Sequence, residues 1–128
     1  MLDCLIIGDS IGVGISTFLN CHQYTKIGMN SSSLVKIDIL QKEYTIISIG
    51  SNDSLTNLYL NNLIKIREKI KNKVIWILPI NKLMRNEILL IASHWNDSIV
   101  DFQPTIDNVH PKSYKKLSSD IRRKINGN

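Results

Sequence analysis

The sequence predicts an α/β fold in which a five-stranded parallel sheet carries helices on both faces. Short apolar runs alternate with segments of helical apolar spacing along the whole chain, the alternation expected of repeated β-α units. The runs are strand-sized and rich in Ile and Val, as strands covered on both sides are. Glycine or proline closes most of them. Residues 1–128 read as one domain, without internal repeats, low-complexity segments or linkers.

Asp3 to Gly8 is the first strand, and the helix after Ser10 shows Ile11, Ile15, Phe18 and Leu19 on one face. His22 to Ile27 forms a second strand ended by Gly28. Asn30 and Ser31 to Ser33 then cap a helix bearing Leu34, Ile37 and Leu40. Tyr44 to Ile49 is a strongly β-branched third strand, followed by Gly50-Ser51-Asn52-Asp53 and a long amphipathic helix with Leu55, Leu58, Tyr59, Leu63, Ile66 and Ile70. Asp53 is expected to cap that helix. Val74 to Leu78 is the fourth strand, closed by Pro79, and Met84, Ile88, Ile91, Ala92 and Trp95 mark the next helical face. Asp97 to Phe102 is a weaker fifth strand. A final helix carries Tyr114, Leu117, Ile121 and Ile125, with Pro111 suited to its first turn.

Composition narrows the function. The chain is 43% hydrophobic and 21% charged, the balance of a globular protein, and no apolar run reaches the length of a membrane span. The net charge of +5 raises the question of nucleic acid. Its main carriers, Lys65, Arg67, Lys69, Lys71 and Lys73, and later Lys112, Lys115, Lys116, Arg122, Arg123 and Lys124, fall on polar helix faces with no interleaved aromatics, so a solvated face is expected and no nucleic-acid or membrane partner. Trp76 and Trp95 read as packing residues. Cys4 lies in the first strand and Cys21 past the following helix, and two free thiols are expected. His22, His94 and His110 have no zinc-like spacing, so neither metal nor cofactor is implied. Met1-Leu2 runs directly into the first strand without an export signal, which makes a cytoplasmic location the expectation.

In an open parallel sheet, ligands bind beyond the carboxyl ends of the strands. Ser10, Gly28, Asn52, Lys82 and Asp107 to His110 fall in loops at that edge, whereas His22 and His94 belong to the opposite one. Ser10 sits at a strand-to-helix turn, where free N–H groups favour a developing negative charge. A serine nucleophile also needs a base, an acid to orient the base, and donors for the oxyanion. His110 supplies the base and Asp107 the acid. The backbone N–H of Ser10, the N–H of Gly28 and the side-chain amide of Asn52 supply the donors, with glycine at 28 expected to permit close backbone approach. Asp9 shapes the turn rather than reacts. Asn81, Lys82 and Met84 are candidates for a substrate pocket wall, with a solvated loop as the alternative.

Gly8-Asp9-Ser10, Gly28, Gly50-x-Asn52-Asp53 and Asp107-x-x-His110-Pro111 resemble, in order, the four blocks of the SGNH hydrolases, the GDSL esterase/lipase family. The resemblance spans residues 8 to 111. It implies a flavodoxin-like three-layer α/β/α sandwich and metal-free ester hydrolysis through an acyl-enzyme, with Ser10, Asp107 and His110 catalytic and Ser10, Gly28 and Asn52 forming the oxyanion hole. Asn108 stands where the family often has glycine, and asparagine is the next residue to tolerate a left-handed backbone. A compact chain without an evident lid points to small acyl esters such as acetyl groups on a carbohydrate. The alternatives are a lysophospholipase or thioesterase acting on longer chains, and a non-catalytic flavodoxin-like binding module. Gly8-x-Ser10-x-Gly12 also matches the nucleophile elbow of α/β-hydrolases, but that elbow follows several strands in a longer chain.

Overall fold

A computed structural model describes residues 3–127. The elements are β1 (Cys4–Gly8), α1 (Ser10–Ile15), β2 (His22–Thr25), α2 (Ser31–Leu34), β3 (Tyr44–Ser48), α3 (Asn57–Glu68), β4 (Lys73–Ile77), α4 (Lys82–Trp95), β5 (Ser98–Val100) and α5 (Tyr114–Ile125). All five strands are parallel, in the order β2-β1-β3-β4-β5. This is the predicted α/β architecture, a three-layer sandwich.

Alternation along each central strand feeds two cores. Leu5, Ile7, Ile47 and Trp76 pack against α2, α3 and α4 through Leu34, Tyr59, Leu63, Ile66, Met84 and Ile88. Ile6, Ile46, Ile75 and Ile77 face the other way, against Ile11, Ile15, Leu117 and Ile121 of α1 and α5. Complete burial of such a side chain contributes about 1.5–3 kcal/mol. The order reverses between β1 and β3, so the loops after these two strands flank the switch point where such sheets bind ligands.

Several expectations are corrected. Cys4 and Cys21 form a disulfide rather than two free thiols. Because α1 is only six residues long, the chain returns at once, and the β1–β2 register that pairs Leu5 with His22 leaves the two cysteines adjacent, with Cα atoms 5.0 Å apart. Helix α2 stops at Leu34. The Lys69 ammonium takes the carbonyl oxygens of Val35 and Ile37, and Leu40 is exposed. Thr56, not Asp53, caps α3, accepting from the Tyr59 N–H at 3.2 Å. Ser113 caps α5, while Pro111 lies before the helix in an antiparallel bridge to Pro104. Arg67 is not on a solvated face: it is buried and bonded to Asp97.

Candidate active site

The β1–α1 turn is built around Gly8, whose φ of 136° belongs to glycine. A Cβ there would lie 1.8 Å from the Ser48 carbonyl oxygen, so no other residue lets β1 run this close to the end of β3. Asp9 follows. Its N–H donates to the Ser48 carbonyl at 3.0 Å, and its Oδ1 accepts from the Ile11 N–H at 3.1 Å and the Ser48 hydroxyl at 2.9 Å. Asp9 therefore caps α1, shaping the turn as expected, and also ties it to β3 through Ser48. Its Oδ2 is buried with no hydrogen-bond partner among the described residues, and burial pushes the carboxyl up to about 6.

This turn presents Ser10, half-buried, to a side chain one hundred residues away. Ser10 Oγ lies 3.1 Å from His110 Nε2, and His110 Nδ1 lies 2.7 Å from Asp107 Oδ2. An ionised carboxylate only accepts, so Nδ1 carries the proton and Nε2 is left to accept from the serine hydroxyl. Asp107 is itself anchored. Its carboxylate accepts from the Thr105 hydroxyl at 2.6 Å and from the Val109 and His110 N–H groups at 2.9 and 3.0 Å. Thr105 first, then His110 and these two N–H groups, hold the Asp107 carboxyl well below the usual carboxylate range. Asn108 adopts a left-handed conformation, with φ of 57°, which asparagine tolerates.

The three groups named as oxyanion donors occupy the loops after β1, β2 and β3. Gly28 has φ of 84°, but an added Cβ would meet nothing within 4 Å, so glycine serves the backbone conformation here and no protein group crowds it. Asn52 donates one amide hydrogen to the Met29 carbonyl at 3.1 Å, which joins its loop to that of Gly28.

A cavity of about 450 Å³ opens between the Asn52 and His110 loops, with Gly50, Ser51, Asn81, Asn108 and Val109 among its walls. Of the three residues expected to line a pocket, only Asn81 does so, while its Oδ1 also caps α4. Met84 is buried on the inner face of α4 as part of the core, and Lys82 is exposed on the outer side of its first turn, outside the cavity wall. Thr105, Ser48 and Asn62 are not singled out by the sequence, and Ser31 stands there only as a helix cap. Thr105 was findable, since a hydroxyl two residues before an aspartate favours a local turn. The others act across 22 or more residues, beyond local pattern.

No family model matches the sequence, and no curated protein matches it. Solved structures do match, among them two from Bacteroides species. A GDSL-like lipase from Bacteroides thetaiotaomicron is 17% identical, with a TM-score of 0.73 over 97% of this chain and 87% of that one. A protein from Bacteroides fragilis assigned as an acylhydrolase is 17% identical, with a TM-score of 0.74 over 97% of this chain and 86% of that one. The chain has the fold of the SGNH, or GDSL-like, hydrolases.

Proposed function

We propose that the protein is a serine ester hydrolase in which Ser10 is the nucleophile, His110 the general base and Asp107 the residue that orients it. The hydrogen-bonded line from Ser10 through His110 to Asp107 carries this reading. In the proposed reaction Ser10 Oγ attacks the ester carbonyl carbon as its proton passes to His110 Nε2. The carbonyl oxygen becomes an oxyanion facing the N–H groups of Ser10 and Gly28 and the Asn52 amide. Its collapse expels the alcohol, which takes the proton from His110 and leaves an acyl-serine. Water, deprotonated by the same imidazole, then releases the acid.

Small acyl groups on a hydroxyl-rich alcohol such as a carbohydrate are the leading substrate reading: the cavity beside the site offers Ser51, Asp53, Asn81 and Asn108 for hydroxyl groups, and Pro79, Ile80 and Val109 for a short acyl chain. One observation favours a second reading. Ile106 and Ile27 are the two most exposed large hydrophobic residues among the described residues, and they immediately precede Asp107 and Gly28, where they could receive a longer acyl chain. Among the described residues no helix is long and apolar enough to cross a membrane. The Cys4–Cys21 bond fits an oxidising compartment better than the expected cytoplasmic one.

A chain-length series of p-nitrophenyl esters tests the reading. Hydrolysis by the wild type should fall by about 10⁴ or more in Ser10→Ala. Wild-type activity in that variant would overturn the mechanism. Preference for acetate supports the carbohydrate-ester reading, and preference for octanoate or longer supports the second.

A further inference from the structure

The two outlying oxyanion donors proposed above, Gly28 and Asn52, sit on different loops, and useful catalysis requires that they converge on one point. Gly28 is exposed and an added Cβ would be in open space; it lies within a turn that the Met29 N–H closes on the Lys26 carbonyl at 3.1 Å, and the Lys26 N–H anchors the start of that turn to the Gly8 carbonyl at 3.0 Å. The other side of the turn is tied down at residues 29–31, and that tie sets how the Gly28 segment sits against the Asn52 segment.

That tie is Asp53. Both of its carboxylate oxygens lie 3.1 Å from the Ser31 backbone nitrogen, and Oδ1 accepts from the Ser31 hydroxyl at 2.7 Å. Ser31 is buried, and its hydroxyl in turn accepts from the Asn62 amide at 3.2 Å, which roots the joint in α3. Asn62 is buried as well and reaches the Ser32 hydroxyl at 3.2 Å. Beside this joint, Asn52 donates to the Met29 carbonyl at 3.1 Å. Adjacent residues 52 and 53 thus grip adjacent stretches of the Gly28 loop. The helix that Asp53 is expected to cap is capped by Thr56 instead, and the carboxylate bonds Ser31 while the residue also borders the cavity beside the site.

We propose that Asp53 is a positioning residue for the oxyanion site, fixing the Gly28 segment against the Asn52 segment through Ser31. The proposal rests on the ester-hydrolase reading. An aspartate suits the role because it only accepts, and the Ser31 N–H and O–H arrive together on one carboxylate. An asparagine would offer one oxygen and turn an NH₂ towards a donor, so it keeps the shape but loses part of the grip.

The test is a double-mutant cycle on p-nitrophenyl acetate hydrolysis, using Asp53→Ala, Asn52→Ala and the double variant, with thermal unfolding of each followed separately. Asp53→Ala should lower kcat about 10²-fold with KM changed less than threefold, because a displaced donor is missed mainly in the transition state. In the Asn52→Ala background the same change should cost less than tenfold, since one of the groups it positions is already gone. Asp53→Asn should fall between wild type and Asp53→Ala, and it serves as the measured variant if Asp53→Ala does not fold. Undiminished kcat in both Asp53 variants, a loss confined to KM, or losses that multiply fully in the double variant would overturn the proposal and leave the ester-hydrolase reading standing. A folded wild type that hydrolyses no ester would overturn that reading, and this proposal with it.

Discussion

The two ends of the parallel sheet use charge in opposite ways. At the amino end, Arg67 is closed off from water: its guanidinium bonds Asp97 at 2.7 and 2.9 Å and the Ile70 carbonyl at 2.9 Å, and lies 4.3 Å over the Trp95 ring. Trp76 Nε1 donates to the same Asp97 at 2.9 Å, so the carboxylate joins β4, α3 and the start of β5. The Arg67 and Asp97 side chains are 6% and 3% exposed. At the carboxyl end, the His110 and Asp107 side chains are 43% and 47% exposed. Buried, fully bonded charge holds elements together; charge left open to solvent can engage a ligand. The sheet keeps these tasks some five residues of strand apart.

Breaking the amino-end network should give the largest effect on folding. Asp97→Ala leaves the Arg67 guanidinium and the Trp76 indole N–H buried without their acceptor, and should cost about 3–5 kcal/mol in unfolding free energy measured by urea titration. Any variant that remains folded should keep its p-nitrophenyl acetate kcat, because the network touches none of the site loops.

A smaller and pH-dependent effect is expected at Asp9. Its folded carboxyl is raised from 3.8 to about 6, so folding favours the protonated form. The associated stability is present below about pH 4 and is lost as pH rises through about 6, a change of roughly 3 kcal/mol at most. Asp107 works in the other direction: its carboxyl is lowered, so its contribution is present above the usual range and is lost on acidification. Subtracting Asp9→Asn from wild type cancels the Asp107 part. The difference in unfolding free energy should therefore shift in favour of Asp9→Asn between pH 4 and pH 7, and a flat difference would show that the Asp9 carboxyl titrates normally.

The strands are legible in the sequence because they are β-branched runs between turn residues, and the candidate site residues can be gathered because a parallel sheet sends the loops after its strands to one edge. Ser10, Asn52, Asp107 and His110 could be placed there from order alone. What could not be read depends on register or on partners distant in the chain. The Cys4–Cys21 pairing follows from the β1–β2 register, which a short α1 makes possible. Arg67 looks like one more basic residue among lysines until Asp97, thirty residues on, is folded against it. The 34/37/40 spacing promised a longer α2, but β-branched Val35, Ile37 and Ile39 favour helix weakly, and Lys69 claims the carbonyls that a continuing helix would use. Asp53 was recognised as a helix-capping type, and its actual partner, Ser31, lies 22 residues back.

The central claim is that Ser10 is an activated nucleophile. Treatment of the folded protein with a fluorophosphonate, followed by intact-mass and peptide mass spectrometry, tests it most directly. One adduct per chain, located on Ser10, absent in Ser10→Ala and greatly slowed in His110→Ala, is the predicted result. No adduct on the folded wild type, or an adduct that persists unchanged in Ser10→Ala, would contradict it.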